Sequence, residues 1–302
     1  MSLIEQATQR LEQLRQAGVD LPPAPTPEAP SAVVSARPVT PVRALEPVFA
    51  PSAGAAAAQR VELDPKVLSA AGIVHPDAMR SQLGDEYRVI KRPLIDNAKG
   101  RTGAVPIKDA NLIMITSALP GEGKTFTAAN LAMSIAMELN HTVMLVDADV
   151  ARPSLMKLLG LPQRRGLLDV LGDESVDLQQ VLLRTNIANL TILPSGNSHP
   201  RATELLASDA MVRLLADMGS RYADRIIIFD SPPLLVTTEA RALAAHMGQV
   251  VVVVKAESTS QAEVKHALAM IAGCPIKLML LNQAATSVKD GYGYGYGYGY
   301  GN

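Results

Sequence analysis

The eight residues from Ala118 to Thr125 have the residue types and spacing of a phosphate-binding loop. They read ALPGEGKT, the (G/A)xxxxGK(S/T) pattern, with Ala118 at the position where the strict form has glycine. Gly121 and Gly123 permit a backbone path in which successive N–H groups point at phosphate oxygens. The loop follows the apolar run 112–116 and precedes a helical sequence, so the positive end of a helix dipole would face the same anion.

Polar side chains of this loop are expected to hold a nucleoside triphosphate together with a cation. Lys124 would reach the outer phosphates, and the Thr125 hydroxyl would bind Mg²⁺. The residues predicted to contact the nucleotide here are Pro120, Gly121, Glu122, Gly123, Lys124, Thr125 and Phe126.

Three carboxylates follow two apolar runs elsewhere in the chain. Asp147 and Asp149 come after VMLV, and Asp230 comes after IIIF. The carboxyl ends of parallel strands share one edge of a sheet, so these acids are expected to meet beside the phosphate loop. Mg²⁺ prefers oxygen ligands, and Thr125, Asp149 and Asp230 are the predicted metal residues.

The elements that would position these groups are short apolar strands alternating with helices. The strand candidates are apolar on both faces, which is typical of parallel strands covered on each side. Their spacing leaves room for right-handed crossover helices, which predicts an α/β fold with a doubly wound, mostly parallel sheet of the P-loop NTPase kind. The predicted strands are Leu112–Thr116, Val143–Val146, Leu190–Leu193, Ile226–Phe229, Val250–Val254 and Leu278–Leu281.

The chain before this region is predicted to have three parts. Residues 1–18 carry one apolar stripe, which predicts an amphipathic helix that either folds back on its own domain or docks another protein. Residues 19–60 are rich in proline and alanine, which predicts a semi-extended linker. The domain that carries the phosphate loop is predicted over 61–290, with a helical patch between Asp64 and Leu83 and a break at Pro93.

Composition excludes several classes of protein. The 302 residues carry 28 basic and 29 acidic side chains, a net charge of −1, which argues against an electrostatic nucleic-acid binder. The single cysteine, Cys274, cannot form an internal disulfide, which fits a reducing compartment. No apolar run long enough for a membrane span and no secretory leader are visible, so we expect a cytoplasmic protein.

The last stretch of the sequence is a strict alternation of glycine and tyrosine, from Gly291 to Gly301. Glycine at every second position makes a packed structure unfavourable, which predicts a flexible tail over residues 291–302. Five of the seven tyrosines of the chain lie there: Tyr292, Tyr294, Tyr296, Tyr298 and Tyr300.

These motifs together resemble the bacterial tyrosine kinases (BY-kinases), a branch of the MinD-like P-loop superfamily. SALPGEGKT, VMLVDADVARP and IIIFDSPP are similar to the Walker A, A′ and B motifs of that family, and HPRATELLAS to its segment before Walker B. The N-terminal SLIEQATQRLEQLRQAG most resembles the exosortase-associated tyrosine autokinases of exopolysaccharide loci. The resemblance implies an ATP- and Mg²⁺-dependent tyrosine autokinase whose phosphoacceptors are the five tail tyrosines.

The resemblance also implies roles for individual residues. Asp147 would orient or deprotonate the incoming phenol, Arg152 would assist phosphate charge, and Asn282, in LLNQ, would contact the base. Lys124, Asp149 and Asp230 would complete the catalytic set.

Partners and location follow from the same kinship. A membrane-embedded chain-length determinant protein would act as the activator, docking at the N-terminal helix or at the face near Tyr87. The kinase would then be cytoplasmic and peripheral to the inner membrane, would form homo-oligomers and would regulate exopolysaccharide biosynthesis and export.

Some positions depart from the family pattern, and two other functions fit parts of the sequence. The oligomerisation motif ExxRxxR aligns with Asp85, Arg88 and Lys91, and lysine cannot make the bidentate contact of arginine. Glu239 stands where aspartate is more usual. A regulatory ATPase of the MinD/ParA kind is the main alternative, although the loop lacks the second lysine of that branch. A scaffold whose Tyr-Gly repeat associates by stacking is the other.

Overall fold

The computed structural model describes residues 59–78, 81–100, 107–222 and 224–284. The predicted N-terminal helix and the Gly-Tyr tail lie outside the described residues, as does all but the end of the predicted linker. The first described strand begins at Gln59, so it includes the last two residues of the predicted linker. No helix among the described residues has the length and apolar character needed to cross a bilayer.

The described chain builds one eight-stranded sheet, in the order β1-β4-β5-β3-β6-β2-β7-β8. All pairings are parallel except that of β4 with β5, so the predicted α/β sheet is confirmed. The strands are β1 (Gln59–Val61), β2 (Leu112–Ser117), β3 (Thr142–Asp147), β4 (Leu183–Thr185), β5 (Leu190–Leu193), β6 (Arg225–Asp230), β7 (Gln249–Lys255) and β8 (Ile276–Asn282).

Helices connect the strands. The longest described helices begin after a serine whose hydroxyl accepts a backbone N–H, as at Ser81 and Ser208, or at a glycine, as at Gly123. They are α1 (Pro65–Ala70), α2 (Gln82–Lys99), α3 (Lys124–Ala136), α4 (Leu155–Leu158), α5 (Leu167–Gly172), α6 (Leu178–Val181), α7 (Ala202–Leu206), α8 (Asp209–Arg221), α9 (Thr238–Ala244) and α10 (Gln261–Met270), with a 3₁₀ turn at Pro76–Ala78.

The core lies on both faces of the sheet, because side chains alternate along each strand. Ile113 and Ile115 of β2 belong to the cluster that includes the buried residues of α2 and α3. Met114 of the same strand belongs to the cluster formed with α8 and α9. Apolar layers on both faces explain why the central strands read as continuous hydrophobic runs.

The helix that contains Pro93 does not break there, so the predicted break is wrong. Helix α2 runs through Pro93 to Lys99. A proline inside a helix removes one hydrogen bond to the carbonyl four residues earlier, here Val89. Val89 and Pro93 are exposed, so water can solvate the freed carbonyl.

The same helix places Tyr87 and Lys91 in the interior. Tyr87 is 3% exposed, and burial raises the pKa of its phenol to about 12. The Lys91 ammonium is buried and donates to the Ser134 carbonyl at 2.6 Å, with Glu138 at 2.9 Å. Lys91 therefore binds within its own fold, whereas Arg88 pairs with Asp85 on the surface of the helix.

The two edges of the sheet differ from the sequence prediction. β1 and β4, three residues each, were not predicted, because neither is a run of apolar residues. β8 was predicted to be covered on both faces, but Met279 and Leu281 are 62% and 64% exposed. Leu278 and Leu280 pack against the core, so one face of this edge strand is covered and the other is open.

Candidate nucleotide-binding and catalytic site

The phosphate loop lies where the sequence predicts, between β2 and α3. Gly121 and Gly123 have φ angles of +83° and +95°, the left-handed region in which glycine is favoured. Gly123 is the N-cap of α3 and offers no side chain to the first N–H groups of the helix. Those groups are therefore available to an anion.

Two side chains fasten this loop to the fold. The Glu122 carboxylate accepts the Leu119 N–H at 2.7 Å and the Thr259 hydroxyl. The Asn282 amide donates to the Glu122 carbonyl at 2.9 Å. Glu122 and Asn282, both predicted as nucleotide contacts, thus hold the loop from within. A carboxylate aimed at a triphosphate would repel it, so the inward direction of Glu122 suits an anion site.

The other predicted loop residues differ in their surroundings. The Lys124 ammonium forms an ion pair with the Asp149 carboxylate. The Thr125 hydroxyl lies 3.0 Å from the Ser154 hydroxyl. Pro120 lies exposed at the tip of the loop. The Phe126 ring lies against Gly72, and its Cε2 is 3.3 Å from the place that a Cβ on Gly72 would take.

The strand-end acids Asp147 and Asp230 are paired across the sheet and fully buried. They occupy partner positions on β3 and β6, and both are 0% exposed. None of their four carboxylate oxygens has a hydrogen bond of good geometry among the described residues, although the Thr125 hydroxyl lies close enough to Asp230, and the Asp149 N–H close enough to Asp147, to lower their pKa values slightly. Because a buried, unpaired carboxylate disfavours its charged form, the arrangement is unfavourable unless a proton or a cation is present.

The pKa values of both carboxyls are raised, because their charged forms are buried without partners. Burial, and then the charges of Asp230 and Asp149, raise the pKa of Asp147 to about 8. Burial also raises the pKa of Asp230 to about 7, although the Lys124 charge and the Thr125 hydroxyl offset part of the effect.

The chemistry of this donor set fits a small hard cation. Two buried carboxylates without partners and the Thr125 hydroxyl are oxygen ligands of the kind Mg²⁺ binds. The described residues contain no group of three or more His, Cys, Asp or Glu side chains arranged as a metal site. Asp149 pairs with Lys124 in this structure and would be free to bind the cation if Lys124 turned to a phosphate; water and phosphate would supply further ligands, as is usual for Mg²⁺.

Arg152 borders this site, and Glu239 links two helices. The Arg152 side chain is exposed, while its backbone N–H donates to an Asp149 carboxylate oxygen at 3.3 Å. Glu239 accepts the Thr203 hydroxyl at 2.8 Å, which joins α9 to α7. The five predicted phosphoacceptor tyrosines lie outside the described residues.

Sequence reasoning missed Thr259 and Ser154, which contact Glu122 and Thr125. Both follow the carboxyl end of a strand, β7 and β3, which is the edge where polar residues of such a sheet converge. A search for hydroxyl residues after every strand would have found them.

Comparisons with known proteins agree with this geometry. The AAA-domain family profile matches residues 110–280. The chain is 35% identical over 167 residues to the tyrosine-protein kinase YwqD of Bacillus subtilis, covering 55% of this chain and 69% of that protein. It is 33% identical over 188 residues to the tyrosine-protein kinase Wzc of Salmonella typhimurium, covering 60% of this chain.

The solved kinase domain of VpsO has the same fold, with a TM-score of 0.54, 28% identity, and coverage of 66% of this chain and all of that domain. The chain spans 69% of YwqD but 26% of Wzc, so the similarity to Wzc concerns one part of that protein. The matched segment contains the phosphate loop and all three strand-end acids. The chain belongs to the AAA-domain family and, within it, to the bacterial tyrosine-protein kinases.

Proposed function

We propose that this chain is an ATP- and Mg²⁺-dependent tyrosine autokinase whose acceptors are the tail tyrosines. The observation that carries the proposal is the pair of buried, unpartnered carboxylates, Asp147 and Asp230, beside a phosphate loop. The pair can accept a cation at one carboxylate and a proton at the other, which are the two requirements of phosphoryl transfer to a phenol. The acceptors proposed are Tyr292, Tyr294, Tyr296, Tyr298 and Tyr300.

The phosphate loop supplies the binding of the nucleotide. The N–H groups of Gly123 and of the first turn of α3 would hold phosphate oxygens, and Lys124 would exchange its Asp149 partner for the outer phosphates. Mg²⁺, held by Thr125 and Asp230 with water, would supply charge neutralisation of the transferred phosphoryl group.

Asp147 is the proposed proton acceptor, because its pKa is closer to that of the phenol than an ordinary carboxylate's. Tyrosine ionises near pH 10, so a carboxylate of pKa 3.8 lies roughly six units below it, or about 8 kcal/mol. With a pKa of about 8 the gap falls to roughly two units, or about 3 kcal/mol. Burial thus makes the ionised Asp147 carboxylate a stronger base. In the nucleotide-free protein this carboxyl is protonated at neutral pH, so it accepts the phenol proton only after Mg²⁺ at Asp230 has favoured its ionised form.

Phosphoryl transfer at this site forms one bond and breaks another. The phenolic O–H proton passes to the Asp147 carboxylate while the phenolic oxygen forms a bond to the γ-phosphorus. The bond from the γ-phosphorus to the bridging β–γ oxygen breaks, and ADP leaves with that oxygen. In a loose transition state most of the rate comes from positioning, which the loop and the strand ends supply.

The biological setting is inferred from kinship. A curated relative, EpsB, is named a putative tyrosine-protein kinase, and a chimerical protein, CapA2B2, shares the fold at 26% identity and a TM-score of 0.57. We infer that this kinase regulates exopolysaccharide biosynthesis and export as a homo-oligomer. A membrane-embedded chain-length determinant protein would activate it and hold it at the inner face of the membrane.

The test is phosphotyrosine mapping of the purified chain after incubation with MgATP. Phosphate on the tail peptide is expected for the wild type and is expected to be lost in Lys124→Met. Lys108→Met is the matched control, because Lys108 is exposed and precedes β2, at the opposite end of that strand from the loop. Labelling that persists in Lys124→Met, or released inorganic phosphate without any phosphotyrosine, would contradict the kinase and favour a regulatory ATPase.

A further inference from the structure

A groove of about 620 Å³ opens beside the phosphate loop, between α1, α3 and α4. Its apolar lining consists of Val67, Ala70, Ala71, Phe126 and Leu158, and we name it the Val67 groove. These side chains are half-buried or exposed, so an apolar surface stands open to solvent next to a polar site. A concave apolar surface with a few polar groups is the usual form of a ligand site.

The Val67 groove shares residues with the candidate active site. Thr125 and Ser154, whose hydroxyls lie 3.0 Å apart, belong to its lining. The exposed Lys157 adds one ammonium group at the same surface. None of the lining residues belongs to β8, the strand that carries Asn282.

We propose that the Val67 groove binds a tail tyrosine two positions from the one that accepts phosphate; this subsite rests on the proposed kinase function. A tyrosine ring has an apolar body and a polar tip, which matches apolar walls with Lys157 at the surface. The groove is thus a specificity element that reads the ring next to the acceptor.

The tail sequence fits such a pair of subsites. In an extended chain, residues i and i+2 point to the same side and lie roughly 7 Å apart. Tyrosine occupies every second position from Tyr292 to Tyr300, so an extended tail carries all its rings on one side. The intervening glycines have no side chains, so the backbone can approach the protein surface closely.

The tail also starts near enough to reach this side of the loop. It follows β8, whose last residue, Asn282, contacts the carbonyl of Glu122 in the loop. Thr125 and Phe126, in the first turn of α3, line the groove, so the groove and the end of β8 both lie near the first turn of α3. A helix is about 10–12 Å wide, whereas the eight residues from Ala284 to Tyr292 extend to about 29 Å.

The experiment compares two acceptor peptides with the full chain as enzyme. Both contain one tyrosine; one has phenylalanine at the i+2 position (GGYGFGG) and the other has alanine there (GGYGAGG). We expect the KM for the phenylalanine peptide to be lower by about tenfold, because its ring leaves water when it enters the groove. Phenylalanine cannot be phosphorylated, so the ratio reports ring binding alone.

Variants of the groove test its position. Val67→Asp places a charge in the groove at the third residue of α1, where an acidic side chain suits the helix dipole. Ala70→Phe fills the groove without a charge. The matched control is Val212→Asp, because Val212 is 37% exposed against 38% for Val67 and lies on α8. The KM for the alanine peptide divided by the KM for the phenylalanine peptide is expected to fall to near one in both groove variants and to stay about ten in the control.

The outcomes separate the two proposals. Equal KM values for the two peptides in the wild type, or a tenfold ratio that survives both groove variants, would overturn the subsite while leaving the kinase intact. If neither the tail nor either of the two peptides is phosphorylated, the proposed kinase function and the subsite are both overturned. Labelling of Lys124→Met protein by the wild-type chain shows whether the tail comes from a second copy.

Discussion

Replacement of Asp147 by asparagine should stabilise the nucleotide-free protein while lowering its kinase activity. The folded chain raises the pKa of Asp147 to about 8, whereas the unfolded chain returns it to 3.8. Between these values the folded state holds a proton that the unfolded state has released. The free energy of unfolding therefore falls as the pH rises through this window, whereas the amide introduced by Asp147→Asn does not titrate and adds no such dependence.

The size of the change in the free energy of unfolding follows from the difference between the folded and unfolded pKa values of Asp147. Each pH unit inside it changes the free energy of unfolding by up to about 1.4 kcal/mol. From about pH 5 to about pH 7.5 the wild type should lose about 3 kcal/mol relative to Asp147→Asn. For a domain of this size that corresponds to a Tm difference that grows by roughly 6–12 °C.

The assay is thermal or urea unfolding of both proteins, without nucleotide, at several pH values. Asp173→Asn is the control of opposite sign, because the Ser175 hydroxyl and N–H lower the pKa of that exposed carboxyl. The reasoning fails if the Tm difference between wild type and Asp147→Asn is constant across this pH range. Added Mg²⁺ and ADP should raise the Tm of the wild type more than that of the variant, because cations relieve buried negative charge.

Three further substitutions test the loop and the interior lysine. Gly123→Ala should weaken MgATP binding at least tenfold by calorimetry. Gly123 has a φ of +95°, and a Cβ on it would lie 2.1 Å from the side-chain nitrogen of Asn282. Gly273→Ala is the control and should bind MgATP normally, because the space around Gly273 is open. Glu122→Gln should raise the Kd for MgATP about tenfold, because it weakens the charged hydrogen bonds that fasten the loop. Lys91→Met should lower the free energy of unfolding, measured in urea, by about 2–3 kcal/mol, because it leaves the Glu138 carboxylate without its buried partner. Arg92→Met removes the other partner of Glu138, which is 62% exposed, and should lower the free energy of unfolding by less than about 1 kcal/mol.

The central strands and the phosphate loop could be predicted because their signals are local. Continuous apolar runs such as 250–254 predict strands covered on both faces, and GEGKT predicts a turn into a helix. The edges could not be predicted in the same way. The run LMLL reads as doubly buried, but whether a helix covers Met279 depends on what packs there, which the run itself does not encode.

Side-chain direction was the other part that spacing could not give. Glu122 and Asn282 lie in motifs expected to touch the nucleotide, yet the first accepts from Thr259 and the second donates to a loop carbonyl. A motif fixes the path of the backbone, while a neighbour more than a hundred residues away decides where the side chain points. Lys91 illustrates the same limit, because its partner Glu138 lies on the segment after α3.

The charges at the strand ends connect the stability of the fold with its proposed reaction. Asp147, Asp149 and Asp230 bring three carboxylates to a site with one neighbouring ammonium, that of Lys124, which pairs with Asp149. Two carboxylates therefore remain without partners in the interior, where apolar side chains would have been more stable. These carboxylates destabilise the folded protein at the place where a cation and a proton must be bound. Binding of the cation and the proton offsets this destabilisation. This is the arrangement expected when a site is selected for chemistry rather than for stability.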